Sequence, residues 1–338
     1  MTTRILVTGY GGFLGSCICH QLINQGYSVR GIARRDYPEL RKIGVETIIG
    51  DVTEREHCRT AMKGMDAIIH TAALAGVWGK RADFEAINVS ATQNLIDAAI
   101  EFHVHAFVHC SSPSVTFDGK PQSGIDESVA YPTTWFCDYP RTKAIAEQLV
   151  LRSHDADKLW TVALRPHLIW GEGDPHLIPR LIQRCLQGRL RCVGDGSNRM
   201  DTVHVFNAAN AHILAMKKLL SHDRDAAGRA YFITDGEPIA CWTWISTILK
   251  AANLMIPTKR ISLANAYRIG AVLETIYRVA SIRSEPPMTR FIALQLGVDH
   301  YFSIQSALDR LGYIPLIDRQ QELDRMGPWL RQIAADFR

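Results

Sequence analysis

Several features that would place a chain at once are missing from these 338 residues. The eight cysteines (Cys17, Cys19, Cys58, Cys110, Cys137, Cys185, Cys192 and Cys241) form no C-x-x-C pair, and no grouping with the 13 histidines has zinc spacing. No metal is therefore expected, and the thiols read as reduced, packed side chains of a cytoplasmic protein. No run approaches the roughly 18 apolar residues of a membrane span. The opening MTTRILVTGYGG lacks the long apolar core of a signal peptide and reads as strand and turn. Net charge is only +4, from 38 basic and 34 acidic residues, too small a surplus to make nucleic acid or an anionic membrane the main partner. There is no internal repeat and no low-complexity segment.

What is present is an ordinary globular composition, 47% apolar and 21% charged, with enough apolar residues for a sizeable core. Short apolar runs alternate with helical patterns. RILVTG, YSVRGIAR, VETIIGD, MDAIIHTAA, HAFVHCSS and WTVALRP read as strands. FLGSCICHQLINQG, FEAINVSATQNLIDAAIEFHV and YPRTKAIAEQLVLRSH read as helices, the first closed by Gly26. That rhythm predicts an α/β fold with a doubly wound parallel sheet covered on both faces. Beyond residue 172 proline, glycine and short helices take over. The expected organisation is a nucleotide-binding core over 1–171. Residues 172–338 form a smaller, mostly substrate-binding region, with segments at about 200–235 returning to the core.

LVTGYGGFLG places Gly9, Gly12 and Gly15 between the first strand and the first helix. Glycines there let backbone N–H groups approach a pyrophosphate at the positive end of the helix, and Gly15 lets helix and strand pack closely. The strand–turn–helix context makes this a dinucleotide fingerprint of the Rossmann type, with Phe13 and Leu14 in the same turn. The second strand ends with Ala33 where a ribose-binding acid usually stands, followed by Arg34 and Arg35. Two guanidinium groups suit a 2′-phosphate, which favours NADP(H) while leaving NAD(H) open. Asp51 and Val52 fit adenine contacts. Thr71, Ala72 and Ala73 end the fourth strand beside the pyrophosphate and ribose, and His70 reads as a packed residue at the sheet end.

The stretch DYPRTK carries the chemistry. Pro140 belongs in a first helical turn, which puts Tyr139 at the helix mouth and Lys143 one turn later on the same face. An ammonium there is expected to lower the phenol from its usual value of about 10, and to hold a nicotinamide ribose. Tyrosine then passes a proton to or from a substrate oxygen. Upstream, CSSPSVTF offers Ser112 to the same oxygen, with Ser111 supporting the loop.

TGYGGFLG, GDV, HTAA, NVSATQNLIDAA, SSPSV, YPRTK and LRPHLIWGEGD together resemble an extended short-chain dehydrogenase/reductase over nearly the whole chain. The branch resembled is that of the 3β-hydroxysteroid dehydrogenases. Within it the chain looks most like the sterol-4α-carboxylate 3-dehydrogenases and, through SSPSVTFDG, RPHLIWGEGDPHLIPR and SEPPMTRF, the 2-alkyl-3-oxoalkanoate reductases of olefin biosynthesis. The resemblance implies Ser112, Tyr139 and Lys143 as catalytic, Asn88 as a helper near the cofactor, and Pro166 to Ile169, with Leu168, as the nicotinamide-side loop. It also implies a homodimer. The family's dehydratases carry Asp-Glu where this chain has Pro113 and Ser114, and its epimerases carry asparagine where this chain has Leu168.

The expected activity is an NADP(H)-dependent oxidoreductase of lipid metabolism, interconverting 3-oxo and 3-hydroxy groups of a hydrophobic carboxylic acid. A sterol dehydrogenase, a sugar-nucleotide epimerase using NAD, and a non-catalytic NADP-sensing protein are the competing classes. Leu74, Trp78, Thr116, Phe117, His167 and Trp170 are expected along the inner substrate wall. Ile269, Val272, Leu273 and Ile276 make a helical stripe, with Arg268, Arg278 and Arg283 along it. Three readings stay open there: a helix packed on its own region, a lid over an apolar tunnel, and a peripheral membrane contact.

Overall fold

The computed structural model describes residues 2–338. Its centre is a seven-stranded parallel sheet: β1 (Arg4–Thr8), β2 (Ser28–Ala33), β3 (Glu46–Ile49), β4 (Ala67–His70), β5 (Ala106–Cys110), β6 (Trp160–Pro166) and β7 (Arg229–Ile233). Across the sheet they run β7-β6-β5-β4-β1-β2-β3. The order reverses between β1 and β4, which opens a crevice above their carboxyl ends, where such folds bind nucleotides.

Alternation along each strand sends neighbouring side chains to opposite faces. Ile5 and Val7 of β1, with Val108 and Val162, pack against helices α1 (Phe13–Asn24) and α4 (Val205–Leu220) through Ile18, Leu22, Ala208 and Met216. Leu6, Ile68 and Phe107 face the other way, onto Leu95 and Ile96 of α2 (Ala91–Glu101). Each large apolar side chain buried in this way stabilises the fold by about 1.5–3 kcal/mol.

Helix α3 (Asp138–Arg152) carries the Tyr139/Lys143 pair and is fixed to the sheet by charge as well as apolar contact. Arg165 of β6 donates to Glu147 of α3 through Nη2 (2.6 Å) and Nε (3.0 Å), and both side chains are almost wholly buried. The Tyr131 hydroxyl donates to the same carboxylate at 2.5 Å.

One helix differs from the sequence reading, and the orientation of another, left open by it, is fixed by the structure. The single helix expected from Phe84 through Val104 is a short α-turn at Arg81–Phe84, a π-helix at Glu85–Ser90, and then α2. The wider turn brings Asn88 inside, where its amide is fully used: Oδ1 accepts from the Leu74 N–H (2.7 Å), and Nδ2 donates to Thr142 Oγ1 (3.0 Å) and to the Leu74 carbonyl (3.2 Å). The stripe over 269–276 does lie on a helix, α5 (Leu263–Val279), but it faces outward. Ile269, Val272 and Ile276 are exposed, and the buried face is Ala266, Gly270 and Glu274. That face docks on α6 (Arg290–Gly297), because Glu274 accepts from the Arg290 N–H (2.7 Å) and its Nε (2.9 Å), and Gly270 lies against the Thr289 backbone.

Removing one partner of the Arg165–Glu147 pair leaves a charge in the core. Arg165→Met is expected to lower unfolding stability by about 3–5 kcal/mol, and adding Glu147→Leu to recover most of it. Urea denaturation checks this, and a loss no larger than that of a surface substitution refutes it.

Candidate active site

The turn between β1 and α1 forms the floor of the crevice. Gly9 has φ +66°, and a Cβ on it would stand 2.9 Å from the Ala72 backbone. A Cβ on Gly15 would lie 2.2 Å from the Gly9 carbonyl oxygen, so only glycine lets α1 start this close to β1. Gly12 caps α1 without a side-chain bond, and no acid stands in the first turn, so the helix end is free to meet an anion.

Two cavities meet at Gly9, Gly12, Thr71 and Ala73. The first, about 470 Å³, is walled by Ala33, Arg34, Arg35, Asp51, Val52 and Leu74. Arg35 Nε donates to the Tyr37 hydroxyl at 3.0 Å. Burial works against ionisation of Asp51, but bonds from the Thr53 N–H and hydroxyl, with the charge of Arg34, hold its carboxyl below the usual range. The second cavity, about 480 Å³, runs from Phe13, Leu14 and Gly15 to Ser111, Ser112, Tyr139, Lys143, and Pro166 through Ile169. Ser111 is buried, and its hydroxyl has no protein partner. An elongated cleft with glycines at its waist, arginines at one end and an unpartnered hydroxyl at the other fits a dinucleotide.

At the inner end, Ser112, Tyr139 and Lys143 come together. The Ser112 hydroxyl lies 2.9 Å from that of Ser114 and accepts from the Ser114 N–H at 3.2 Å. Lys143, only 2% exposed, donates from Nζ to the Cys110 carbonyl at 2.6 Å and lies 3.3 Å from His109 Nε2. The expected lowering of the tyrosine by its lysine is reversed in this structure. Burial, with the Cys110 thiol next in weight, pushes Tyr139 up to about 12, and the neighbouring Ser112 hydroxyl only partly offsets this. Lys143 is itself drawn down by burial. Desolvation dominates at Tyr139, and the phenol is held protonated.

The other anticipated residues divide. His70 is a packed, neutral histidine: burial drops it to about 3, and its ring nitrogens meet Thr8 Oγ1 (2.7 Å) and Thr92 Oγ1 (3.0 Å). Asn88 stands behind the cleft and ties the Leu74 loop to α3 rather than lining the cavity. Of the residues expected on the substrate wall, His167 lines the inner cavity and Leu74 the outer one. Thr116, Phe117 and Trp170 lie in the packed interior instead. Thr116 Oγ1 donates to the Pro113 carbonyl (3.0 Å), Phe117 sits edge-on to Phe291, and Trp170 Nε1 donates to Asp235 (3.2 Å). Trp78 is drawn off toward α5, donating to the Ile282 carbonyl (3.2 Å) beneath the Arg278 guanidinium. In each case short loops pack back on the protein, which position in sequence does not reveal.

Residues not anticipated also form the walls. Gly11 is one, its Cα face covered by the Tyr37 ring. Phe291 and Gln295 of α6 are two more, and their i, i+4 spacing on one helix face was the available signal. Leu168 holds φ +43°, a left-handed conformation that costs a branched residue about 1–3 kcal/mol. It stands where the inner cavity meets a further pocket of about 240 Å³.

A doubly wound sheet with this glycine turn and a Ser/Tyr/Lys set at the inner end of its cleft defines an NAD(P)-dependent oxidoreductase of the extended short-chain dehydrogenase/reductase type. The 3-beta hydroxysteroid dehydrogenase/isomerase family matches residues 6–264, and the chain belongs to it. It is 43% identical over 325 residues to 2-alkyl-3-oxoalkanoate reductase of Stenotrophomonas maltophilia, covering 96% of this chain and 98% of the relative. Identity to the enzyme of that name from Shewanella oneidensis is 42% over 330 residues, covering 96% and 85%. Among solved structures, MoeE5 in complex with UDP-glucose and NAD matches with a TM-score of 0.75 at 25% identity, covering 97% of this chain and 99% of that one.

Because burial raises the Tyr139 phenol, the free protein is expected to carry no Tyr139 phenolate at neutral pH or at the ordinary tyrosine value of about 10. Ultraviolet titration of the parent against Tyr139→Phe checks this. A near-neutral phenolate signal that the substitution abolishes refutes it.

Proposed function

We propose that this protein reduces the 3-oxo group of a hydrophobic 3-oxo carboxylic acid with NADPH, and runs in reverse on the 3-hydroxy acid. The observation that carries this reading is the union of the Ser/Tyr/Lys end of the cleft with an apolar pocket. The two share Leu168, Leu177, Phe291 and Gln295, and the pocket runs on between Leu181, Met200, Trp244 and Ile245. A hydrocarbon arm suits such walls, and a diphosphate does not. Of the two arginines on this pocket, Arg180 is committed to Glu285 through two bonds of 2.9 Å. Arg184 has no carboxylate within ion-pair distance among the described residues, which leaves its guanidinium for the substrate carboxylate.

The dinucleotide, when bound along the glycine turn, supplies the hydride. The chain's residues then hold the oxygen and move the proton. Ser112 binds the carbonyl oxygen, and Tyr139, protonated because it is desolvated, gives its hydroxyl proton to that oxygen. Lys143 keeps one N–H for the cleft after the Cys110 carbonyl and His109 take the others. Asn88 positions the helix that carries Tyr139 and Lys143 by tying Thr142 to the Leu74 loop.

Arg34 and Arg35, exposed at the outer end of the cleft with no acid at the end of β2, support preference for the 2′-phosphorylated cofactor. NADPH is expected to bind at least tenfold tighter than NADH, and Arg34→Ala to erase most of that difference while leaving NADH affinity within twofold. Dissociation constants from fluorescence titration check both, and equal affinities in the parent protein refute the preference.

For the substrate, KM for 3-oxo acids of graded length is expected to fall about fourfold per added methylene, the equivalent of about 0.8 kcal/mol, until the pocket is full. Ile245→Trp should move that limit to shorter chains and leave kcat on short acids unchanged. A response flat in chain length refutes the hydrophobic-acid reading.

A further inference from the structure

Beneath Lys143 lies a set of buried histidines that the proposed reaction does not use. His109, on β5, is 1% exposed, and His212, on α4, is fully buried. Helix α4 packs across β5, and His70 lies beside His109 with ring centres 5.2 Å apart. His109 Nδ1 and His212 Nε2 are both buried with no hydrogen-bond partner. Unpartnered buried polar atoms are rare enough to need a cause.

The hydrogen-bond chemistry supplies one. An ammonium only donates, so the 3.3 Å contact from Lys143 Nζ makes His109 Nε2 an acceptor. A neutral His109 must then carry its proton on Nδ1. His212 Nδ1 stands 2.7 Å from the Ala208 carbonyl, which only accepts, so that nitrogen carries the proton and Nε2 is left as a lone pair. The two orphaned atoms are therefore complementary, one donor and one acceptor. The two residues sit on elements that pack on each other, β5 and α4.

We propose that Lys143, His109 and His212 form one buried donor–acceptor chain, closed between the two imidazoles through a single internal water, and that His109 is a positioning residue for Lys143. Its lone pair and the Cys110 carbonyl take two of the three ammonium protons and turn the third to the cleft. The chain also stabilises the ammonium in a site that otherwise disfavours charge. The groups facing Lys143 are His109 and the Cys110 thiol on β5, His70 on β4, His212 on α4 and Glu147 on its own helix. Among these, only His109 offers the ammonium a side-chain acceptor within hydrogen-bond reach.

The role given to Lys143 rests on the proposed reaction, whereas the tautomers do not. Imidazole nitrogen resonances of the 15N-labelled full chain should show His109 neutral and protonated at Nδ1 throughout the neutral range, and His212 neutral and protonated at Nδ1. A His109 protonated at Nε2, or one that titrates near neutral pH, overturns the chain. In turnover, His109→Leu should weaken the Lys143 ammonium and so raise the phenol's apparent pKa. The limb on which 3-hydroxy acid oxidation rises with pH, as the phenolate forms, then moves up by about one unit, a tenfold loss of rate at fixed pH on that limb. His109→Gln, whose amide oxygen still accepts from lysine, should restore most of it. An unmoved limb in His109→Leu, or no rescue by glutamine, overturns the positioning role. Should the leucine variant fail to fold, the tautomer measurement on the parent protein still decides. The predicted tautomers in a protein inactive on every 3-oxo acid would keep the chain and sink the proposed function instead.

Discussion

The burial of one ammonium group organises the inner end of this cleft. Lys143 is 2% exposed and rests on the Cys110 carbonyl at 2.6 Å, which ties helix α3 to the end of β5. The same helix brings Tyr139 beside Ser112 on the wall of the inner cavity. Charge without solvent is unfavourable, and the protein compensates locally with a carbonyl and a neutral imidazole, and further along the same helix with the Arg165–Glu147 pair. The helix is thereby held by directional contacts, which specify position more sharply than apolar contact alone.

Desolvation also decides the proton states. The same exclusion of water draws Lys143 down, raises Tyr139 and keeps His70 and His109 neutral. A pairwise view, in which a lysine four residues away acidifies a tyrosine, leaves out the larger effect here, the loss of hydration at both groups. The outcome is a phenol that holds its proton, the state a proton donor to a carbonyl oxygen needs.

Legibility was uneven, and for definable reasons. The parallel sheet could be read from strand–helix alternation, since each strand is a short apolar run between helical stretches. The placement of Gly9, Gly12, Gly15, Ser112, Tyr139 and Lys143 along one cleft could be read because it depends on local geometry: a turn, a strand end, one helical turn. The walls beyond them were not accessible in the same way. Trp170 and Phe117 look like lining residues by loop position, yet the two-residue strand Ile169–Trp170 and the 3-10 turn Pro113–Thr116 fold them into the core. Phe291 and Gln295 reach the cleft from the far end of the chain. The outward turn of the 269–276 stripe followed from Glu274, which periodicity treats as a surface residue and the structure buries against Arg290.

By itself the sequence determined the class of fold, the glycine turn and the candidate trio of Ser112, Tyr139 and Lys143, because each is written in short local patterns along the chain. Only the tertiary structure decided what surrounds them: which histidine lies under Lys143, which way α5 faces, how the cleft opens into an apolar pocket past Leu168, and that the phenol is raised rather than lowered. Those properties depend on contacts between distant segments and on the exclusion of water, and neither has a period or a spacing that a linear pattern can carry.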